Sequence, residues 1–131
     1  MAARNRVAAV TLTHDHSTTA QALLDLIDGT TAAAGNASFG SRIRSLSMVT
    51  GPTTAPGGTY VVAFLVVDPA AVETVLQVVT LANTANTLQL DEKILPTLTL
   101  PPGCTMKAAM RTALAAGATV HVSVVLTDNT E

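Results

Sequence analysis

The sequence predicts a mainly β protein: an antiparallel β-sandwich, jelly-roll-like, with one short N-terminal α-helix over about residues 18–28. Three observations predict it. Hydrophobic residues make up 48% of the chain but aromatics only 2%, so the core must be aliphatic, and Val and Thr favour pleated strands. Short runs alternate apolar and polar residues with a period of two. Turns rich in Pro and Gly separate those runs. At 131 residues the chain reads as a single domain, 1–131, with residues 1–6 as a candidate N-terminal arm.

The first run is "RVAAVTLT", where Ala8, Val10 and Leu12 alternate with Ala9, Thr11 and Thr13. Next, Thr18 and Gln21 have the spacing of a capping box. Ala20, Leu23, Leu24 and Ile27 follow at i, i+3, i+4 and i+7, one helix face, with Gly29 to close it. Residues 30–41 are mostly small and predict a loop. "RIRSLSMVT" predicts a strand with Leu46 and Met48 inward, and "GPTTAPGG" a long turn. "TYVVAFLVV" is apolar on both faces, as a covered strand would be, and Asp68-Pro69 ends it.

Residues 69–80 carry two signals. Asp68 as N-cap, Pro69 at the first helical position and Val72, Val75, Leu76 and Val79 at helical spacing favour a helix. The β-branched load favours a turn followed by a strand from Thr74 to Leu81, which is the expectation adopted. Further on, Leu88, Leu90, Leu98 and Leu100 share one parity, and Asp91-Glu92 reads as a solvated turn rather than a carboxylate pair. Pro102 and Gly103 suit a type II turn. Cys104, Met106, Ala108 and Met110 then face one way. In "TVHVSVVLT", Val120, Val122, Val124 and Leu126 face inward, with Thr119, His121, Ser123 and Thr127 outward.

No stretch calls for catalysis. His14 and His16 flank Asp15 and are the candidate metal ligands, but a structural zinc takes about four ligands and a catalytic one about three. With only His121 and scattered carboxylates to add, no metal and no cofactor are expected. Cys104 reads as a small buried hydrophobe, on the opposite parity to His121. Arg4, Arg6, Arg42 and Arg44 are the one basic grouping. A net charge of −2, with one Tyr and two Phe, predicts no nucleic-acid binding. The N-terminus lacks the apolar core of a secretion signal, and no run reaches the roughly 18 apolar residues of a membrane span, so no membrane association is expected.

Two stretches carry a resemblance. "TLTLPPGC" followed by "ATVHVSVVLTD" resembles the small β-sandwich accessory proteins of tailed bacteriophage particles, which run a strand of form xLxLPxG and a terminal ATVxVSVxL strand. The front, "VTLTHDHSTTAQALLDLI", is similar to the T-T-A-x-x-L-x-x-L opening of some capsid decoration, or cement, proteins. The likeness covers most of the chain, but its motifs specify fold better than role. It implies a non-enzymatic virion protein, made in the host cytoplasm, that acts through surfaces clamping the major capsid protein or another virion protein. The doubly apolar strand 59–67 and the sparse charge predict a homo-oligomer, a trimer first and a dimer second, and trimers are frequent among the proteins the chain resembles. The polar segment Arg4, Asn5 and Arg6 is then the candidate partner-binding arm. Nothing marks one position on the particle, so capsid, neck and tail stay open, as does a small self-assembling coat protein. A carbohydrate- or peptide-binding β-sandwich module is the alternative of another class, disfavoured by the scarcity of aromatic rings.

Overall fold

The alternation of apolar and polar residues produces two antiparallel sheets packed into a β-sandwich. The computed structural model describes residues 5–16, 19–25, 32–35, 39–58 and 60–128, with the backbone alone at 16 and 90–98. Its strands are β1 (Asn5–Thr13), β2 (Gln21–Ala22), β3 (Leu24–Asp25), β4 (Ser41–Thr50), β5 (Tyr60–Val67), β6 (Glu73–Leu81), β7 (Leu88–Leu100), β8 (Thr105–Met110) and β9 (Thr119–Asp128). The first sheet has the order β3-β1-β9-β4-β7 and the second β2-β8-β5-β6.

The inward parities expected in β1, β8 and β9 are observed. Ala8 and Leu12, then Met106, Ala108 and Met110, then Val120, Val122, Val124 and Leu126 are all at most 3% exposed. Burying one Leu or Val side chain of this kind contributes roughly 1.5–3 kcal/mol. β4 changes parity part-way: Ser41 and Ile43 are buried on one side of a register shift, and Leu46, Met48 and Thr50 on the other. The shift falls at Arg44, which a bulge leaves exposed. On β7 the same irregularity spans the residues between Lys93 and Leu98, Pro96 among them. Proline lacks the ladder donor and is tolerated here because β7 is an edge strand.

β5 lies between β8 and β6 and is apolar on both faces, as the sequence implied. Residues 73–81 form a strand and not the alternative helix. Asp68 caps a turn instead. Its Oδ1 accepts the N–H groups of Ala70 and Val72, each at 2.9 Å, and its carbonyl accepts that of Ala71. The Pro102–Gly103 turn is also present, with Gly103 at φ 78° and Cys104 N–H donating to the Pro101 carbonyl.

Three expectations are corrected. The helix over 18–28 is not formed in the described part. Gln21–Ala22 pair with β8 and Leu24–Asp25 with β1, so the chain crosses from one sheet to the other there. Tertiary pairing overrides local helical spacing, because Leu23 is fully buried here and its N–H also bonds the Met106 carbonyl. Gln21 bonds the Thr19 carbonyl; Thr18, its proposed capping partner, lies outside the described residues. Asp91-Glu92 is no turn but part of β7, opposite Ser47 and Leu46. Leu88 and Leu100 do not share a buried face: a register shift at Met48/Val49 leaves Leu88 57% exposed while Leu100 is fully buried.

The stretch read as a loop over 30–41 is, at residues 32–35, tied to both sheets. Ala33 N–H donates to the Leu23 carbonyl and Gly35 N–H to the Cys104 carbonyl. A Cβ on Gly35 would lie 2.2 Å from the Pro101 oxygen, so the approach of two backbones requires glycine.

Candidate interaction surface

His14, Asp15 and His16 form a single 3-10 turn at the end of β1, so the extended geometry that would place both rings on one side is absent. His14 is exposed, and its Nδ1 bonds the Leu114 carbonyl oxygen, which requires the proton on that nitrogen. Among the described residues, no group of three or more His, Cys, Asp and Glu side chains is placed to hold a metal. Cys104 is buried between the sheets, whereas His121 stands exposed on the outer side of the first sheet with Nδ1 3.0 Å from Thr11 Oγ1. The fold therefore does not bring thiol and imidazole together.

The candidate arm is also corrected. Arg4 lies outside the described residues, but Asn5 and Arg6 are the first residues of β1, and Arg6 is only 8% exposed. Its even-numbered position carries it to the inner side with Ala8 and Leu12. There its guanidinium donates to Asp128 Oδ1 from Nε at 3.0 Å, and from Nη2 to the Ala34 carbonyl at 2.7 Å and Ser41 Oγ at 3.0 Å. Asp25 stands 3.5 Å from Nη1. Burial of the charge is compensated by these partners, which join β1, β9, β3 and the start of β4. Asn5 accepts a hydrogen bond from Thr127 Oγ1 at 2.7 Å. The basic grouping seen in the sequence is thus divided, with Arg6 inside, Arg42 half-buried and Arg44 exposed at the bulge.

Among the described residues, the outer faces of the two sheets are the broadest surfaces left once these polar groups are placed. The first sheet presents three cross-strand rows over β1, β9 and β4: Val7–Val125–Ser45, Ala9–Ser123–Ser47 and Thr11–His121–Val49. No Lys, Arg, Asp or Glu occurs at these nine positions, and apart from His121 their side chains are short; in β7 the first two rows continue with Lys93 and Asp91. This surface follows from the outward parities of "VAAVTLT", "SLSMVT" and "HVSVV", but its rows needed the register that places Ser47 and Ala9 on either side of Ser123, and Ala9, Thr11, His121 and Ser123 line a shallow depression in it.

The second sheet's outer face is more apolar. Leu65 and Val67 are 8% and 6% exposed yet stand outside the core cluster between the sheets. Lys107 on β8 pairs in register with Leu65, Glu73 on β6 with Val67, and their side chains meet at 3.8 Å, so the ion pair spans β5 above these two residues. Beyond it Val61, Ala63 and Ala109 line an open depression with Val75 and Val78, which are 56% and 53% exposed.

No protein-family model, no curated protein and no solved structure matches this chain.

Proposed function

We propose that this chain is a non-enzymatic virion structural protein of the capsid decoration, or cement, type. It docks through the outer face of its five-stranded sheet against the major capsid protein or another virion protein. The observation that carries the reading is the uncharged three-row face centred on Ser123. Strands stand about 4.8 Å apart and alternate residues about 7 Å apart along a strand, so the rows form a tile of about 10 by 14 Å, from which the His121 imidazole stands out. Such a tile suits close packing on another folded surface. It lacks the exposed rings that a sugar site uses and the positive charge that a nucleic acid requires.

The resemblance to phage-particle accessory proteins supplies the kind of partner. On this reading the protein is a homo-oligomer, for which the family likeness favours a trimer ahead of a dimer. It is made in the host cytoplasm and resides in the virion. A cement protein acts thermodynamically: by binding the assembled lattice and not separated subunits, it stabilises the lattice by mass action. With charged residues at 12% of the chain, attachment draws on apolar and backbone contacts and depends only weakly on salt.

The test is quantitative mass spectrometry of purified particles specified by the same genome. The reading expects the chain in those particles, in numbers comparable with the major capsid protein. A count that fits only a single ring would move it to the neck or tail, and its absence from the particles would end the virion reading.

A further inference from the structure

Among the described residues the two sheets end in β3, β7, β2 and β6, and β6 alone of these edges is unguarded against further pairing. β2 and β3 are two residues long, and β7 carries Asp91, Glu92, Lys93 and Pro96. β6 runs for nine residues and has neither charge nor proline from Thr74 to Leu81. On it Val75 and Val78 are more than half exposed.

The ladder fixes which of its backbone groups point outwards. Arg111 N–H donates to the Val61 carbonyl, so Val61 turns its backbone groups towards β8. Sides alternate along an antiparallel strand, and Val62 and Phe64 therefore turn theirs towards β6. Their partners Val79 and Gln77 face back to β5, which leaves the N–H and carbonyl of Val78 and Thr80 pointing out from the sheet edge. Leu76 is an extra residue with no partner on β5, and beyond it the outward groups belong to Val75 and Glu73. The outward positions 73, 75, 78 and 80 thus have a spacing that reads the same in both directions.

We propose that β6 pairs edge to edge, antiparallel, with β6 of a second copy, joining the two four-stranded sheets into one. A uniformly alternating strand falls out of step at Leu76. A reversed copy of β6 stays in step, because it carries the same extra residue at the centre of its pattern. Glu73 then stands opposite Thr80 of the second copy and Val75 opposite its Val78, and the two-fold axis repeats both pairs. Together these pairs exchange about eight N–H···O bonds. The half-exposed valines of both copies meet across the seam, and no like charges oppose each other along it. The seam is about 30 Å long and about 10 Å deep, well below the roughly 800 Å² per partner of a standard interface, so pairing is reversible. The inference rests on the homo-oligomer part of the proposed function, not on attachment to a particle, and sets the dimer ahead of the trimer.

Sedimentation equilibrium of the full chain from about 10 μM to about 1 mM tests it, with amide hydrogen exchange read residue by residue at both ends of that range. The mass should rise from 13.4 kDa towards twice that value. The Val75, Val78 and Thr80 amides should exchange readily in the dilute sample and at least tenfold more slowly in the concentrated one. The Val79 amide, which faces β5, should be protected in both. Thr80→Lys, facing Glu73 of the second copy, should tighten association about three- to tenfold, and Thr80→Glu should weaken it about as much. Adding Glu73→Gln to Thr80→Glu should recover that loss. A rising mass without protection of the three outward amides, or equal association by Thr80→Lys and Thr80→Glu, would overturn the edge pairing. A constant mass of three chains would overturn it while leaving the homo-oligomer standing. A single-chain mass throughout would overturn both and leave particle attachment unaffected.

Discussion

Arg6 and Asp128 stand 122 positions apart in the chain, yet Nε and Nη2 of the arginine lie 3.0 and 2.8 Å from the same carboxylate oxygen. The pair joins the first strand to the last, and Ser41 Oγ donates to that oxygen at 2.8 Å. Both side chains are less than one-tenth exposed. Removing the arginine would leave Asp128 buried without its cation and Asp25 beside it. Arg6→Met should therefore cost about 3–5 kcal/mol of folding stability. Deletion of residues 2–6 should likewise destabilise the sandwich, since it removes the same guanidinium. Chemical denaturation measures both, and midpoints equal to the parent's would show that the cluster does not hold the strands together.

Leu23 and Leu24 distinguish the observed crossing of the chain between sheets from the helix that the spacing suggests. On a helix both would lie on the buried face. Here Leu23 is fully buried and Leu24 half-buried. Leu23→Ala should cost about 2–5 kcal/mol, the range for emptying a packed leucine site, and Leu24→Ala distinctly less. Equal losses in denaturation experiments would favour the helix.

Gly103 and Gly35 are required for different reasons. Gly103 holds φ at 78°, and a Cβ there would meet only Pro69 Cγ at 3.4 Å. Gly103→Ala should cost about 1–2 kcal/mol, the penalty of the left-handed conformation alone. At Gly35 a Cβ would collide with backbone that cannot turn aside, 2.2 Å from the Pro101 oxygen. Gly35→Ala should be the more destabilising of the two in thermal unfolding. The reverse order would mean that the approach of residues 32–35 to the Pro101 turn relaxes easily.

These residues also show what was legible in the sequence. β1, β8 and β9 were readable because their inner faces are unbroken alternations, and a period of two is a local signal. β6 was readable because its β-branched load outweighed helical spacing. The crossing at 21–25 was not, since what decides it is pairing with β8 on one side and β1 on the other, both remote in sequence. The burial of Arg6 was hidden for the same reason: a basic residue near a terminus looks solvated until Asp128 and Asp25 are placed beside it. The run through Asp91 and Glu92 reads locally as a turn, whereas its partner β4 continues the ladder past it. The chemistry-bearing residues therefore misled where partners were distant. The uncharged face was half visible, its composition in the outward parities and its shape only in the register.

Docking through the face around Ser123 is measured most directly by rebinding to particles that have been depleted of this protein. Full-length protein and a Ser123→Arg variant are added, and occupancy is measured together with the temperature of genome release. Ser123 lies outward between Ala9 and Ser47, so an arginine there should change folding stability by no more than about 0.5 kcal/mol while projecting from the middle of the tile. The parent chain should bind, raise the release temperature and stay bound as salt is increased, and Ser123→Arg should neither bind nor raise that temperature at equal fold stability. Full occupancy by the variant, or failure of the parent chain to bind and to raise that temperature, would contradict docking through this face.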